Sequence, residues 1–321
     1  MRLIILGYKV ADISIAKEIH TKRLRSLGIY SIPDKLKRFF SKVHTHSAIH
    51  LGFYDAAKRL EITSYWVESL SEINFKFNSD DVVLTEATYL RHIPNNYNFK
   101  LIIHGICSAE WPEHILNGKY YTFSNYHASD IEKYKKMEKI GNFIYFSQEK
   151  RHIVTAWASD FYGENNFVSD KSRSQERNCY YIGNFSDDAF IVAKDIKRAL
   201  QKKNINLTRV SGLNQKRMYE ISIQSNFLFD VRCKHHLEVG YIPCRVFKSL
   251  SYGRNIFINS EKLINQFKSA NLQFFQDGDQ LNDLLEKSLL GYFDESSKAL
   301  MEEVRGEHLY TCRLQQILSL I

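Results

Sequence analysis

The stretch Glu238–Asn259, EVGYIPCRVFKSLSYGRNIFIN, determines the predicted fold of the C-terminal half. Three of its apolar residues recur at helical spacing: Val246, Phe247 and Leu250. This spacing predicts a helix within Tyr241–Tyr252. Gly253 stands where such a helix ends, and Ile256–Ile258 resumes as a short buried strand. A helix, a glycine stop and a strand form the repeating half-unit of a doubly wound α/β domain.

The turn ahead of this helix is suited to an anion. Gly240 and Pro243 predict a tight turn, so that the first backbone N–H groups of the helix, which lack intrahelical partners, can point at a negative ligand. Arg245 lies in the first turn, where its charge opposes the helix dipole unless a negative group binds nearby. The sequence therefore predicts a phosphate at this helix end, with Arg245 beside it.

These residues resemble the nucleotide-sugar-binding segment of GT-B glycosyltransferases, in which a turn, a helix of the form R-x-F-E-A-x-A-x-G and a strand hold the donor. The matching residues are Arg245, Phe247, Lys248, Ser249, Leu250, Ser251 and Gly253. Lys248 departs from the pattern, because many retaining members carry there the glutamate that binds the donor ribose. At the level of pattern, the resemblance continues through LQFFQDGDQLNDLLEKSLL and MEEVRGEHLYTCRLQQIL. It implies an α/β protein with two Rossmann-like domains that face each other across a cleft.

The length of 321 residues fits two domains better than one. We expect an N-terminal acceptor-binding Rossmann-like domain at 1–170, with a helical insertion at about 10–43. A C-terminal nucleotide-sugar-binding Rossmann-like domain is expected at 171–321. Residues 161–178 lose hydrophobic periodicity and are interpreted as the linker. The last helix, Tyr310–Ile321, is apolar enough to pack back against the first domain or against a partner chain.

The formal net charge of +8 favours anionic partners, which include nucleotide diphosphates, nucleic acid and acidic membrane surfaces. The Lys/Arg-rich insertion suits acceptor phosphates or lipid headgroups, although a solvated amphipathic helix explains it as well. The five cysteines are widely spaced and form no CxxC pair, which indicates a reducing cytosol. The N-terminus turns polar too early for a signal peptide or a membrane span. We therefore expect a cytoplasmic protein whose membrane contact, if any, is peripheral.

The N-terminal half contains a series of short apolar runs that predict strands. The first, RLIILG, ends at Gly7 without a following GxGxxG, which argues against a dinucleotide site. The later runs each end in a polar residue, and these residues would line one crevice if the strands are parallel: Glu86, His104, Ser124, Ser147 and Asp160. Glu86 and His104 are predicted to end neighbouring strands. Strand ends are also polar simply because they meet water.

A group of side chains near this edge can act as a general base. A predicted helix that includes Ile49–Leu60 carries His44, His46 and His50 in or near its first turns, beside the carboxyl ends of the strands. Histidine titrates near neutral pH, so it can accept a proton from a hydroxyl group. The candidate bases for an inverting reaction are His46, His50, Glu86 and His104. The histidines can equally be capping or packing residues.

A second group of candidates belongs to the donor site of the C-terminal domain. Gly183 would let the backbone approach the nucleotide closely. Arg209 and Arg232 can fork onto diphosphate oxygens, and Glu238 can accept hydrogen bonds from ribose hydroxyls. Tyr241 or Lys248 would assist Arg245. The predicted donor-binding residues are Gly183, Arg209, Glu238, Tyr241, Arg245 and Lys248.

Two motifs resemble metal-binding motifs, but their sequence context argues against a metal site. Asp277-Gly278-Asp279 has the D-x-D form, but it lies between a predicted strand and a predicted helix, where it is typical of a turn and an N-cap. His235 and His236 lack a third ligand at a useful spacing. We therefore expect no metal and no cofactor beyond the nucleotide-sugar substrate.

The function expected from the resemblance is metal-independent transfer of a sugar from a nucleotide-sugar donor to a hydroxyl of a glycan or lipid-linked acceptor, without a nucleic-acid partner. One alternative is a protein that binds nucleic acid or another anionic polymer. It would require aromatic and basic residues interleaved on one surface, whereas most aromatics here fall in predicted strands and apolar helix faces. The other alternative is an inactive GT-B-like domain, given Lys248.

Overall fold

The computed structural model describes residues 1–7, 47–104, 112–124, 143–145, 153–154, 158, 160, 167, 169–173, 178–183, 192–210, 215–238, 241–264, 266–319 and 321. The predicted insertion at about 10–43, His46 and Ser147 lie outside these residues. The chain divides into two compact units. Unit 1 comprises Met1–Asn125, Asp130–Thr155 and Arg313–Ile321, and unit 2 comprises Tyr126–Ser129 and Ala156–Cys312.

Unit 1 is built on one parallel sheet. Its strands are β1 (Leu3–Leu6), β2 (Ser64–Val67), β3 (Val82–Glu86), β4 (Lys100–His104), β5 (Tyr120–Ser124), β6 (Phe143–Tyr145) and β7 (Ile153–Val154). Its helices are α1 (Ser47–Arg59) and α2 (Glu113–Leu116), and single 3-10 turns occupy Leu70–Glu72 and Ala87–His92. The strand order is β2-β1-β3-β4-β5-β6, and β7 also pairs with β5. The direction in which strands are added reverses between β1 and β3, which is the switch point where such sheets bind ligands.

The core of unit 1 follows from continuous apolar runs. All four residues of β1 are fully buried, as expected for a central strand of a parallel sheet covered on both faces. Helix α1 buries Phe53, Ala56 and Ala57, which recur at helical spacing on one face. The predicted first strand, the predicted helix and the following strands of this half are therefore confirmed.

Unit 2 has parallel strands separated by helices. Its strands are β8 (Asn178–Ile182), β9 (Asn206–Val210), β10 (Phe229–Asp230), β11 (Phe257–Ile258) and β12 (Gln273–Phe274). Its helices are α3 (Ala193–Lys202), α4 (Gln215–Gln224), α5 (Lys234–Glu238), α6 (Cys244–Ser251), α7 (Gly278–Leu289) and α8 (Asp294–Glu307). Helix α9 (Tyr310–Ser319) begins in unit 2 and ends among residues assigned to unit 1. Two further 3-10 turns occupy Lys171–Arg173 and Glu261–Leu263.

The strands of unit 2 repeat the arrangement of unit 1. Strand β8 pairs with β9, and β10, β11 and β12 pair in that order. The backbone N–H of Asn226 donates to the carbonyl of Asn178 at 2.8 Å, which places the segment ahead of β10 beside β8. The two sheets are separate, and placing them side by side at this contact gives the order β9-β8-β10-β11-β12, which corresponds to β2-β1-β3-β4-β5. A second switch point therefore lies between β8 and β10.

Helix α6 ends as its sequence predicts. Gly253 has φ of 72°, in the left-handed region that glycine adopts without strain. Its N–H donates to the Leu250 carbonyl at 2.9 Å, and the Arg254 N–H donates to the Ser249 carbonyl at 3.1 Å. This pair of bonds is a Schellman motif. The predicted helix, glycine stop and strand are confirmed, with α6 shorter than the predicted span at its N-terminal end.

Part of the predicted linker packs into unit 2. Asp170 is almost fully buried and lies 3.1 Å from Arg254, whose guanidinium also donates to the carbonyls of Ser225 and Asn226. Asp170 further accepts a hydrogen bond from the Ser288 hydroxyl. These contacts hold the segment ahead of β8 against unit 2. The buried guanidinium of Arg254 requires a compensating charge, which Asp170 supplies.

Asp160 does not end a strand as the sequence suggested. Strand β7 ends at Val154, and the Asp160 carboxylate accepts hydrogen bonds from the backbone and hydroxyl of Thr311. The expectation that a strand ends at Asp160 was wrong, because the strand covers only Ile153–Val154.

No helix in the described part of the chain has the length and apolar character needed to cross a membrane.

Candidate functional site

The switch point of unit 2 brings together a cluster of charged side chains from three elements. Asp230 ends β10, Arg232 follows it, and Arg245 and Lys248 lie on successive turns of α6. Gly183, directly after β8, completes the edge. We call Asp230, Arg232, Arg245 and Lys248 the charge cluster. Three cations oppose one carboxylate within it.

Asp230 and Arg232 form the innermost pair of the charge cluster. Asp230 has no exposed surface, and its two carboxylate oxygens accept hydrogen bonds from Nε of Arg232, at 2.6 Å, and from its Nη2. Burial tends to lower the pKa of Arg232, but the charge and hydrogen bonds of Asp230 outweigh burial and raise it above its ordinary value. The pairing of the two side chains is bidentate.

Arg245 is the outer arginine of the cluster. Its Nη1 lies 3.4 Å from the same Asp230 oxygen that Arg232 uses, and 22% of its side chain is exposed. The guanidinium lies 5.1 Å from the Tyr181 ring centre. Gly183 has φ of 119°, and a Cβ built there would lie 2.6 Å from Nη2 of Arg245. The position therefore requires glycine both for its backbone conformation and to leave room for the guanidinium.

Lys248 follows Arg245 by one turn of α6 and is partly buried. Burial lowers the pKa of its ammonium group; the nearby Cys244 acts in the opposite direction, and the positive charge of Arg245 lowers the pKa further. Among the described residues, no carboxylate forms an ion pair with Lys248. A lysine in this state gains from an added anion, which would raise its pKa.

Tyr241 packs against Arg232 of the charge cluster. Its ring lies 4.9 Å from the Arg232 guanidinium and stacks on His236 at a centroid distance of 4.9 Å. Asn259 holds Arg232 as well, because its amide accepts from the Arg232 N–H at 2.7 Å and donates to the Arg232 carbonyl at 3.1 Å. Arg232 is thus fixed through both its side chain and its backbone.

The remaining two predicted donor-site residues lie outside the charge cluster. Arg209 is exposed on β9, which is an edge strand. Glu238 ends α5 with 59% of its side chain exposed, and its carboxylate lies 3.9 Å from Lys234. The structure therefore brings together Gly183, Tyr241, Arg245 and Lys248 of the predicted set, whereas Arg209 and Glu238 are exposed.

Two members of this site escaped the sequence analysis. Asp230 ends β10 directly after the buried run Phe227–Phe229, and a carboxylate at the end of a buried run is a signal that could have been used. Asn259 follows β11 in the same way. The partner of neither residue can be read from the sequence, because the contact depends on which strands pair.

The switch point of unit 1 carries buried ionisable groups. His50 lies in the first turns of α1 and is fully buried. Its imidazole packs against Gly7 at the end of β1, where an added Cβ would lie 2.2 Å from Nδ1. The Gly7 carbonyl accepts a hydrogen bond from Nε1 of Trp66 at 3.2 Å. The close approach of the imidazole to the strand end therefore depends on Gly7.

Glu86 and His104 end adjacent strands in register. Glu86 of β3 pairs with His104 of β4, as the sequence predicts. Glu86 has no exposed surface, and the side chain of His104 lies 4.8 Å from the Phe123 ring. Thr85 fixes the strand end by donating from its hydroxyl to the Leu6 carbonyl at 2.9 Å. Neighbouring strands lie about 4.8 Å apart, so this edge places a carboxylate beside an imidazole.

The D-x-D motif has the structural role expected of it. Asp277 is the N-cap of α7, and its carboxylate accepts from the backbone N–H groups of Asp279 and Gln280. One other group of metal-capable side chains occurs among the described residues: Glu303, Glu307 and His308. Hydrogen bonds from Lys268 and Ser269 already engage its carboxylates.

Comparisons with known proteins identify the fold. No protein-family model and no curated protein sequence matches the chain. Among solved structures, the DNA-modifying enzyme β-glucosyltransferase, determined with and without uridine diphosphoglucose, is similar at a TM-score of 0.53 and 12% identity, over 99% of this chain and 98% of that chain. T4 phage β-glucosyltransferase is similar at 0.54 and 11% identity, over the same shares of both chains. These are glycosyltransferases with two Rossmann-like domains. The predicted fold is confirmed: the chain has the GT-B fold.

Proposed function

We propose that the chain is a glycosyltransferase that moves a sugar from a nucleoside diphosphate sugar, UDP-glucose being the first candidate, to a hydroxyl group on nucleic acid. The observation that carries the proposal is the charge cluster at the switch point of unit 2. Three cations with one carboxylate suit a ligand with more than one negative charge, and guanidinium groups match phosphate oxygens in geometry. The partial exposure of Arg245 leaves the cluster open to such a ligand.

In the proposed reaction, the acceptor oxygen forms a bond to the anomeric carbon of the sugar. The bond from that carbon to the β-phosphate oxygen breaks, and its electron pair leaves with the nucleoside diphosphate. Arg245 and Lys248 stabilise the charge that accumulates on the leaving diphosphate. The acceptor proton passes to a base in unit 1, for which Glu86 and His104 are the candidates.

Two observations support nucleic acid as the acceptor. The fold neighbours include a DNA-modifying glucosyltransferase. Residues 10–43 also contribute to the net charge of +8, because they contain eight Lys or Arg residues and three Asp or Glu residues. Positive charge attracts a polyanion through release of its counterions, whereas a neutral glycan gains nothing from it. The glycan or glycolipid acceptor expected from the sequence is the alternative.

A transfer assay tests the proposal. The protein is incubated with radiolabelled UDP-glucose and, in parallel, with DNA whose bases carry an added hydroxyl group, unmodified DNA, and a panel of glycans and glycolipids. We expect label on the hydroxylated DNA, lost in Arg245→Ala. Transfer to glycans alone would show that the acceptor is wrong. Failure to bind any nucleoside diphosphate or its sugar, measured by calorimetry, would refute the donor site and with it the proposed activity.

A further inference from the structure

The two arginines of the charge cluster use the same carboxylate in different ways. Arg232 forms a bidentate pair with Asp230, and only 10% of its side chain is exposed. Arg245 approaches one of the same oxygens at 3.4 Å, which is beyond the usual range of an N–H···O hydrogen bond. Among the described residues, Nη1 of Arg245 is buried and has no hydrogen-bond partner. The carboxylate of Asp230 therefore accepts hydrogen bonds from Arg232 and not from Arg245.

The surroundings of the two side chains reinforce this difference. Arg232 lies over the Tyr241 ring, and Asn259 clamps its backbone, so that its position is fixed. Arg245 packs beside Tyr181 and against the bare backbone of Gly183. Neither of those neighbours supplies a carboxylate. Arg245 hydrogen-bonds with Tyr181 and keeps its charge for a ligand.

We propose that Arg232 is a positioning residue that acts through Asp230: it neutralises the buried carboxylate, so that Asp230 does not capture Arg245. This inference rests on the proposed function, because it takes the ligand of Arg245 to be a nucleoside diphosphate. A carboxylate without exposed surface requires a charged partner. If Arg232 is removed, Arg245 is the nearest cation that can take its place, and it then becomes unavailable to phosphate.

A three-variant comparison tests the inference. Dissociation constants of UDP and of uridine, which lacks phosphates, are measured by calorimetry for the wild type, Arg232→Gln, Asp230→Asn and the double variant. We expect Arg232→Gln to weaken UDP binding about 30-fold, because Asp230 captures Arg245. The double variant should bind UDP within about threefold of the wild type, and Asp230→Asn should bind at least as tightly as the wild type. Uridine affinity should change little throughout.

The outcomes separate the inference from its alternatives. If Arg232 is itself a phosphate ligand, the double variant stays as weak as Arg232→Gln, and the inference is overturned. If Arg232 only maintains the fold, uridine affinity and the melting temperature fall together with UDP affinity, which also overturns it. Arg198→Gln, at an arginine of α3 that is 71% exposed, is the matched control and should bind UDP like the wild type.

The experiment also distinguishes a failure of the inference from a failure of the proposed function. A wild-type protein that does not bind UDP overturns both. A wild-type protein that binds UDP and loses it in Arg245→Ala, but shows no rescue in the double variant, retains the donor site and overturns the role given to Arg232.

Discussion

The two units place different chemistry at topologically equivalent positions. At the switch point of unit 1, the groups are His50, Glu86 and His104, whose charge depends on pH. At the switch point of unit 2, the groups are the charge cluster, in which both arginines are permanently charged. Each edge also has a glycine that admits a side chain: Gly7 for His50 and Gly183 for Arg245. Under the proposed function, the same sheet order would carry a proton-handling edge in unit 1 and a charge-holding edge in unit 2.

The largest effect should come from the proton-handling edge. Glu86→Gln and His104→Gln each preserve side-chain size approximately while removing an ionisable group. We expect the one that is the base to lower kcat by a factor of about 100 to 10,000, because a positioned base contributes that much, and to leave KM for the donor nearly unchanged. Steady-state transfer kinetics measure both constants. His92→Gln, an exposed position that follows β3, is the control. A drop in donor affinity equal to the drop in kcat would contradict the comparison.

The charge-holding edge should respond in the opposite way. Arg245→Ala is expected to weaken UDP binding about 100-fold, because it removes a charged donor from a partly buried phosphate site. The same change at Arg209, which is exposed on β9, should alter UDP affinity less than about twofold. Isothermal calorimetry compares the two variants. Equal losses at both positions would show that the site extends to the edge strand.

The two glycines allow the same substitution at both edges. Gly7→Ala places a Cβ against the His50 ring, and Gly183→Ala places one against Arg245 with an unfavourable φ. We expect each to cost about 1–3 kcal/mol of stability. Gly183→Ala should also weaken UDP binding about tenfold, while Gly7→Ala should reduce transfer and spare UDP affinity. Thermal unfolding and calorimetry distinguish them.

A third glycine provides the control for that pair. Gly306 lies within α8, and a Cβ there would meet nothing within 4 Å. Gly306→Ala is therefore expected to be neutral or to stabilise by up to about 1 kcal/mol. If Gly7→Ala and Gly183→Ala behaved like Gly306→Ala, the close approaches at the two edges would be refuted.

The smallest effect concerns the pH dependence of the charge cluster. The lowered pKa of Lys248 means that its ammonium loses its proton at a lower pH than an ordinary lysine. UDP affinity should therefore fall, about fivefold, as pH rises through that lowered pKa, because the neutral amine attracts phosphate less. Titration calorimetry above pH 7.5, where the terminal phosphate of UDP is already ionised, measures the decline.

Two variants assign that decline to Lys248. Lys248→Arg should remain charged and abolish it, and Lys248→Met should bind weakly at every pH. Because the Cys244 thiol faces the same ammonium and thiols also lose protons in alkaline solution, the series is repeated in Cys244→Ser. A decline that persists in Lys248→Arg but not in Cys244→Ser would assign the effect to the thiol.

Local patterns predicted the elements of the fold well. Helix α6 and the stop at Gly253 follow from apolar spacing and backbone freedom, which are properties of neighbouring residues. The register of Glu86 with His104 was also predictable, because consecutive strands of a parallel sheet usually lie side by side. The need of Arg245 for a negative partner was predicted from its place in the first turn of α6.

The carboxylate that lies near Arg245 could not be predicted. Asp230 reaches Arg245 from β10, and this contact depends on the position of α6 against a strand rather than on local sequence. The exposure of Arg209 has a related origin: the sequence marks the end of β9 but does not show that β9 is an edge strand. Side-chain partners that come from distant segments are fixed by packing, and a single sequence does not encode them in any periodic pattern.

The pairing of Asp170 with Arg254 has a practical consequence for work on unit 2 in isolation. Arg254 is only 1% exposed, so its positive charge requires the compensating carboxylate of Asp170, which precedes β8 in the chain. A truncated polypeptide that started at β8 would lack that carboxylate and leave a buried guanidinium without its ion-pair partner. We expect this to lower the free energy of unfolding by about 3–5 kcal/mol. A soluble fragment for crystallisation or NMR should therefore start upstream of Ser169.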